Sequence, residues 1–88
     1  MTHRGEPGGV IRAAVARFEE LTGNRPESVS SMHRGEDGDW TFRVEVVELR
    51  RIPDAVSLLA TYELYVDSDG DLSGWERVRR YERGGAGR

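Results

Sequence analysis

The sequence predicts an α+β domain in which one N-terminal helix packs on a four-stranded antiparallel β meander. Three observations support this fold class. Apolar residues recur with helical spacing only near the start of the chain, strand-like alternation dominates after Pro26, and two Asp-Gly turn sequences separate predicted strands. Strands do not alternate with helices, so a parallel sheet is not expected.

At 88 residues the chain has room for one domain. We expect a flexible N-terminal tail over residues 1–9, a single domain over residues 10–83 and a flexible C-terminal tail over residues 84–88. Both tails are rich in glycine and lack a periodic apolar pattern. A chain of this size buries only about 60 to 65 % of its unfolded surface, which favours help from a partner.

The helix is predicted to begin at Val10. It is expected to end before Gly23, which supplies a left-handed C-terminal residue, and Pro26 prevents it from resuming. Its apolar face consists of Ile11, Ala14, Val15, Phe18 and Leu21.

The first two strands are predicted over residues 27–34 and 39–51. The first alternates weakly and is expected at a sheet edge. In the second, the alternation slips by one residue at Val46-Val47, which predicts a β-bulge or a strand covered on both faces. Pro53 then ends the ladder because it lacks an amide donor.

The third strand shows the clearest alternation, with apolar residues at alternate positions from Leu58 to Val66, and the last strand covers residues 72–83. A three-residue loop at residues 68–70 is expected to join them. This register keeps the apolar residues on one face and places Arg77 beside Glu63 on the other. A two-residue loop would mix the faces.

The composition excludes several kinds of site and segment. The absence of cysteine excludes disulfides, thiolate metal sites and thiol nucleophiles. His3 and His33 show no zinc-ligand spacing, and Asp67 to Asp71 fails the calcium-loop spacing because Gly70 comes too early. No stretch approaches the roughly 18 apolar residues of a membrane span, and no signal-peptide pattern is present. We therefore expect a cytosolic protein with no membrane partner and no metal.

No catalytic centre is recognisable in the sequence. His33 lies on the weakest strand, and no nucleophile-elbow sequence accompanies the nearby serines. Arginines interleave with Glu45, Glu48 and Glu63, and such neighbours lower carboxylate pKa values instead of producing a general acid. The glycine-rich termini lack the pattern of a phosphate loop. We therefore expect a protein that is not an enzyme and needs no cofactor.

The charge is unevenly distributed along the chain, although the net charge is only −3. Residues 1–35 carry five arginines against four glutamates, residues 36–71 carry three arginines against ten acids, and residues 72–88 carry five arginines against two glutamates. All thirteen cations are arginine, which pairs with carboxylates in a bidentate fork. This layout suits contact between copies of the chain or with a partner of similar layout.

Four sequence blocks occur at separations that, taken together, are specific to one protein family. They are ELTG at residues 20–23, VEVVELRRIPD at residues 44–54, LATYELYVDSDGDL at residues 59–72 and RVRRYER at residues 77–83. In this combination the chain resembles the gas vesicle protein O family over residues 10–83. The resemblance implies an accessory protein needed for assembling gas vesicles, without known cofactors or catalytic residues. It also implies other gas vesicle proteins as partners and a cytoplasmic or vesicle-associated location.

Two binding modes are consistent with the sequence. The first is protein binding during vesicle assembly, through a sheet face or edge formed by Glu45, Glu63, Tyr65, Trp75, Arg77 and Arg79. The alternative is a nucleic-acid-binding regulator of vesicle gene expression, in which the C-terminal arginines neutralise phosphates while Trp75 and Tyr81 stack on bases. A pI of about 5.4 argues against this alternative. Self-association is also compatible with the charge layout.

Overall fold

The computed structural model describes residues 7–85 and has the predicted α+β architecture. The strands form one antiparallel sheet in the order β1-β2-β3-β4, so the predicted meander is confirmed. The elements are helix α1 (Pro7–Thr22), β1 (Ser28–Arg34), β2 (Trp40–Leu49), a 3₁₀ turn (Asp54–Val56), β3 (Leu58–Val66) and β4 (Leu72–Glu82).

Helix α1 begins at Pro7, before the apolar pattern itself begins at Val10. Proline suits the first helical turn because its missing N–H would have no intrahelical partner there. Residues 7–9, assigned from the sequence to the N-terminal tail, therefore form the start of the helix. Residues 1–6 and 86–88 of the two predicted tails lie outside the described residues. The helix ends as predicted, since Gly23 has a φ of 76° and its N–H donates to the Glu19 carbonyl at 2.8 Å.

One face of the sheet is buried beneath α1. The helix contributes residues spaced four apart, as expected for a single helical stripe. Of the predicted face, Ile11 and Val15 are only partly buried and Leu21 is 50 % exposed, because the stripe is centred on Val10, Ala14 and Phe18. Burying one large apolar side chain stabilises the fold by about 1.5 to 3 kcal/mol. The cluster under the helix consists of Val10, Ala14 and Phe18 from α1, Trp40, Phe42, Val44 and Val46 from β2, and Leu64 and Val66 from β3.

Strand β1 is an exposed edge, as its weak alternation predicts, and all seven of its residues are exposed. Strand β2 also contains an irregularity near the predicted break in its alternation. The register between β2 and β3 shifts between Val47 and Leu49, so that Glu48 lies at an irregularity of the ladder. The bulge thus lies just after the predicted slip, whereas Val46 and Val47 themselves pair in regular register with Ala60 and Leu59 and place apolar side chains on both faces of the strand.

Both predicted turns contain a left-handed glycine, with a φ of 85° at Gly38 and 89° at Gly70. In the second turn the N–H of Asp67 donates to the carbonyl of Asp71 at 2.9 Å, which encloses the expected three-residue loop. The Asp67 carboxylate also accepts from the backbone N–H groups of Asp69 and Asp71, at 3.0 Å each. Such contacts explain why Asp is favoured in these loops.

The predicted register of β4 is wrong beyond its first residue. Val66 pairs with Leu72, but Tyr65 pairs with Gly74, so Ser73 is an extra residue in β4. Because side chains alternate between faces, an extra residue moves every following side chain to the opposite face. Arg77 therefore pairs with Tyr62 and does not lie beside Glu63.

A second extra residue in β4 returns the side chains that follow it to the faces predicted for them. The register shifts again between Thr61 and Tyr62, with Val78 as the extra residue, so Arg79 pairs with Thr61. Trp75 and Arg77 consequently face α1, whereas Arg79 lies on the opposite face of the sheet.

Candidate functional site

The face of the sheet opposite α1, called the open face below, is polar apart from the cross-strand pair Val47 and Leu59. Within residues 7–85, neither the helix nor a second sheet packs against it. Its cross-strand neighbours follow from the register, in which Arg43 pairs with Glu63 and Glu45 pairs with Thr61. The side chains that define it are Arg43, Glu45, Thr61, Glu63, Tyr65, Glu76, Arg79 and Tyr81.

Glu45 joins all four strands through its carboxylate. It lies on β2 and accepts hydrogen bonds from hydroxyls on the other three strands: Ser30 on β1, Thr61 on β3 at 2.6 Å and Tyr81 on β4 at 2.8 Å. Burial works to raise the pKa of Glu45, but the three hydrogen bonds and the nearby Arg79 outweigh it and hold the pKa below its ordinary value. The open face therefore has a fixed negative charge near its centre.

Glu63 is the second anchored carboxylate of the open face. The Tyr65 hydroxyl donates to it at 2.8 Å and Arg43 Nε donates at 2.9 Å, and these contacts lower the pKa of Glu63. The hydrogen bond to Glu63, burial and the nearby Glu76 raise the pKa of Tyr65 to about 12. Tyr65 is therefore a neutral hydrogen-bond donor at physiological pH.

A depression of about 420 Å³ lies beside Glu45. The guanidinium carbon of Arg79 is 4.4 Å from the centroid of the Tyr81 ring, a cation–π geometry that orients the arginine. The depression thus presents two guanidinium groups around one carboxylate, a combination suited to polar and charged side chains of a protein partner. It is lined by Ser30, Ser31, Arg43, Glu45, Thr61, Arg79 and Tyr81.

Trp75 belongs to the packing under α1 and not to the open face. Its ring meets Phe18 edge-on at a centroid distance of 5.8 Å, and Phe18 also contacts the ring of Tyr62 at 5.3 Å. Aromatic pairs in this geometry contribute about 0.5 to 1.5 kcal/mol beyond their burial. Although Trp75 is 38 % exposed, its role is to extend the core onto β4.

Arg77 is likewise on the helix side, where it binds the bulge residue Glu48. Its Nη1 donates to Glu48 at 3.2 Å, Arg80 Nε lies 3.1 Å from the same carboxylate, and the Tyr62 hydroxyl donates to it at 2.8 Å. Burial works to raise the pKa of Glu48, but the hydrogen bonds from Tyr62 and Arg77 hold it below its ordinary value. The β2 bulge therefore anchors two of the C-terminal arginines.

Arg83 lies at the end of the sheet opposite the two Asp-Gly turns. Its guanidinium donates to both oxygens of Glu27 at 3.0 and 2.8 Å, and its Nε lies 2.8 Å from Asp54. The hydrogen bond from Arg83 lowers the pKa of Glu27. This contact ties the end of β4 to the start of β1 and to the 3₁₀ turn.

The structure thus divides the six residues predicted as a binding surface. Glu45, Glu63, Tyr65 and Arg79 share the open face, whereas Trp75 and Arg77 lie on the helix side. Sequence reasoning missed the hydroxyl donors of Glu45, because each depends on a strand register: Thr61 pairs with Glu45 between β2 and β3, and Tyr81 reaches it through the true register of β4. The Ser73-Gly74 pair is the signal that was available, since glycine inside a strand often marks a bulge.

Three further observations concern a metal site, a membrane span and His33. Within residues 7–85, no cluster of three or more His, Asp or Glu side chains is arranged to hold a metal ion. The single helix of that part of the chain is neither long nor apolar enough to span a membrane. His33 lies exposed on edge strand β1.

The fold and its surfaces define the class of protein: a small α+β domain with one sheet face buried under a helix and a fixed polar network on the other. The sequence profile described as gas vesicle synthesis protein GvpO matches residues 2–87. The chain belongs to this family.

Its relatives include gas vesicle protein O of Streptomyces sp. (strain CB03234), which is 60 % identical over 78 residues, or 89 % of this chain and 60 % of the relative. Gas vesicle protein O1 of Halobacterium salinarum is 42 % identical over 48 residues, covering 54 % of this chain and 40 % of the relative. Gas vesicle protein O of Haloferax mediterranei is 31 % identical over 74 residues, covering 84 % and 52 %. The chain thus spans 60 % or less of the length of these curated relatives. No solved structure matches it.

Proposed function

We propose that this protein is an accessory protein of gas vesicle formation that acts by binding other gas vesicle proteins through its open face. Its family supports the role in gas vesicle formation. The observation that carries the binding mode is the Glu45 network, which joins all four strands on the face that α1 leaves uncovered. The protein works in this role as a scaffold and not as a catalyst.

The network favours binding because it orients side chains before a partner arrives. Immobilising one flexible side chain at an interface costs about 0.5 to 1.5 kcal/mol, and Glu45, Glu63 and Arg79 are already held by neighbours. Tyr65, Tyr81 and the arginines of this face are also residue types enriched among interface hot spots. The open face is therefore the better docking surface of the two sides of the sheet.

The partner should present both signs of charge. The open face carries the arginines Arg43 and Arg79 close to the carboxylates Glu45, Glu63 and Glu76. A partner of one sign would be repelled by either the two arginines or the three carboxylates, whereas a mixed surface pairs with both and fixes the orientation of docking.

A capture experiment tests the docking surface. The variant Arg43→Glu/Arg79→Glu should lose at least tenfold in capture of co-produced gas vesicle accessory and shell proteins, because it reverses both cations of the open face. Arg17→Glu/Arg25→Glu is the matched control, with the same change of charge at exposed positions on α1 and in the loop that follows it. Circular dichroism of each variant verifies that it is folded. Capture by the open-face variant at the level of the unchanged protein would refute this docking surface.

The nucleic-acid alternative receives less support from the structure. Arg77 and Arg80 are bound to Glu48, Arg83 is bound to Glu27 and Asp54, and Trp75 packs on Phe18. Phosphate binding would first have to break these ion pairs. Titration of single-stranded RNA binding against salt distinguishes the two modes, since phosphate contacts produce a steep loss of affinity with rising salt.

A further inference from the structure

Helix α1 has a second surface that its own sheet covers only in part, since Ile11 and Val15 pack against the edge of the core. A groove of about 400 Å³ runs along the helix on the side of β1. Val15 in its wall is only partly buried, Ala16 is exposed, and Val29 on the strand below is 44 % exposed. The groove is lined by Ile11, Arg12, Val15, Ala16, Glu19 and Val29.

Four residues of this groove form a continuous strip on the helix, called the α1 strip below. With 3.6 residues per turn, Arg12, Val15, Ala16 and Glu19 fall within an arc of about 100°. This arc lies away from the buried Ala14. The centre of the strip is small and apolar, and each end bears one charge of opposite sign.

The charges of the α1 strip complement a second copy of the same strip. Arg12 and Glu19 are equally distant along the helix from the midpoint between Val15 and Ala16. A two-fold axis through this midpoint runs the helices antiparallel and sets Arg12 of each copy level with Glu19 of the other. Val15 and Ala16 then meet at the axis, where small side chains permit the 8–10 Å helix separation typical of packed helices.

We propose that the α1 strip is a self-association surface through which two copies of this protein pack antiparallel. A parallel arrangement places Arg12 level with Arg12 and Glu19 level with Glu19, so like charges oppose it. The pairing leaves the open face free on both copies, because α1 covers the other side of the sheet. A dimer would therefore present two open faces and gain avidity for a repetitive partner.

Sedimentation velocity of the full chain over a range of concentrations tests this proposal. The unchanged protein should form dimers as its concentration rises. Arg12→Glu alone and Glu19→Arg alone each create two like-charge contacts and should raise the dimer dissociation constant at least tenfold. Arg17→Glu is the control, because Arg17 lies on another side of the helix and pairs with Glu20.

Exchanging the charges at Arg12 and Glu19 tests the antiparallel arrangement specifically. The double variant Arg12→Glu/Glu19→Arg should recover the dimer, and an equal mixture of the two single variants should form a heterodimer that neither forms alone. Ala16→Glu gives an independent disruption at the axis should a charge variant fail to fold. A monomeric unchanged protein, single variants that dimerise normally, or a double variant that does not recover would each overturn the proposal. Capture by the open face is a separate measurement, so failure here leaves the proposed docking surface standing.

Discussion

At the residue scale, Glu45 shows how hydrogen bonds offset the free-energy cost of removing a carboxylate from water. Removal from water disfavours the charged form, and each hydroxyl that donates to the carboxylate offsets part of that penalty. The donors lie far apart in sequence, on β1, β3 and β4, so the network forms only when the whole sheet has formed. Glu45 therefore reports on the integrity of the open face.

Tyr81→Phe removes one of these donors while keeping the ring that supports Arg79. We expect the free energy of unfolding to fall by about 1 to 2 kcal/mol, between the values typical of a neutral hydrogen bond and of one to a charged group. The measurement is chemical denaturation of Tyr81→Phe alone and in a Glu45→Gln background. The cost should be smaller in that background, because the charged acceptor is gone. Equal costs in both backgrounds would show that Tyr81 and Glu45 are not coupled.

At the element scale, the end of β4 is locked against the 3₁₀ turn. The backbone N–H of Gly84 donates to the Ala55 carbonyl at 2.7 Å, and that of Arg83 donates to the Ser57 carbonyl at 3.0 Å. A Cβ added at Gly84 would lie 2.8 Å from the Cβ of Ala55 and 3.0 Å from its carbonyl oxygen. The close approach of two backbones therefore requires glycine here.

Gly84→Ala should destabilise the protein by about 1 to 3 kcal/mol, the usual cost of overpacking a close contact. Gly8→Ala is the matched control, because its added Cβ meets only the flexible end of Arg12 at 3.4 Å. This control should be neutral or stabilising by up to about 1 kcal/mol, since alanine favours helix. Thermal unfolding of both variants measures the difference. A Gly84→Ala variant as stable as the control would show that β4 does not depend on this contact.

Most of the elements follow from local patterns that the sequence displays directly. The helix stripe and the Asp-Gly turns depend on neighbours within a few residues and are found as predicted, except that Leu21 is exposed; the bulge in β2 lies just after the predicted position. The register of β4 does not follow in this way, because Ser73 and Val78 each add one residue to that strand alone. Trp75 and Arg77 were assigned to the wrong face for this reason, and Tyr81 was missed as a donor to Glu45 with them.

At the scale of the whole molecule, long-range carboxylate contacts hold the strands in register. Glu27, Glu45, Glu48 and Glu63 all have pKa values below the ordinary 4.5. The folded chain therefore binds fewer protons at these groups than the unfolded chain does. Their stabilisation is complete above the ordinary pKa and is lost as the pH falls through the lowered values.

The free energy of unfolding should therefore depend little on pH near neutrality, where these groups stay charged. It should decline as the pH falls below about 4.5. Denaturant unfolding at several pH values between 7 and 3 measures this dependence. The Glu45→Gln variant should show a shallower decline, because it lacks one of the titrating groups. A stability that is unchanged down to pH 3 would contradict the importance of these contacts.

Site-specific photo-crosslinking tests the central claim most directly, namely that the open face binds other gas vesicle proteins. The chain contains no cysteine, so a single introduced cysteine places a crosslinker at one position. Thr41→Cys lies on the open face opposite Tyr65, and Arg17→Cys lies on the exposed side of α1. We predict that Thr41→Cys crosslinks to co-produced gas vesicle proteins and that Arg17→Cys does not. Crosslinks from Arg17→Cys but not from Thr41→Cys would contradict the account.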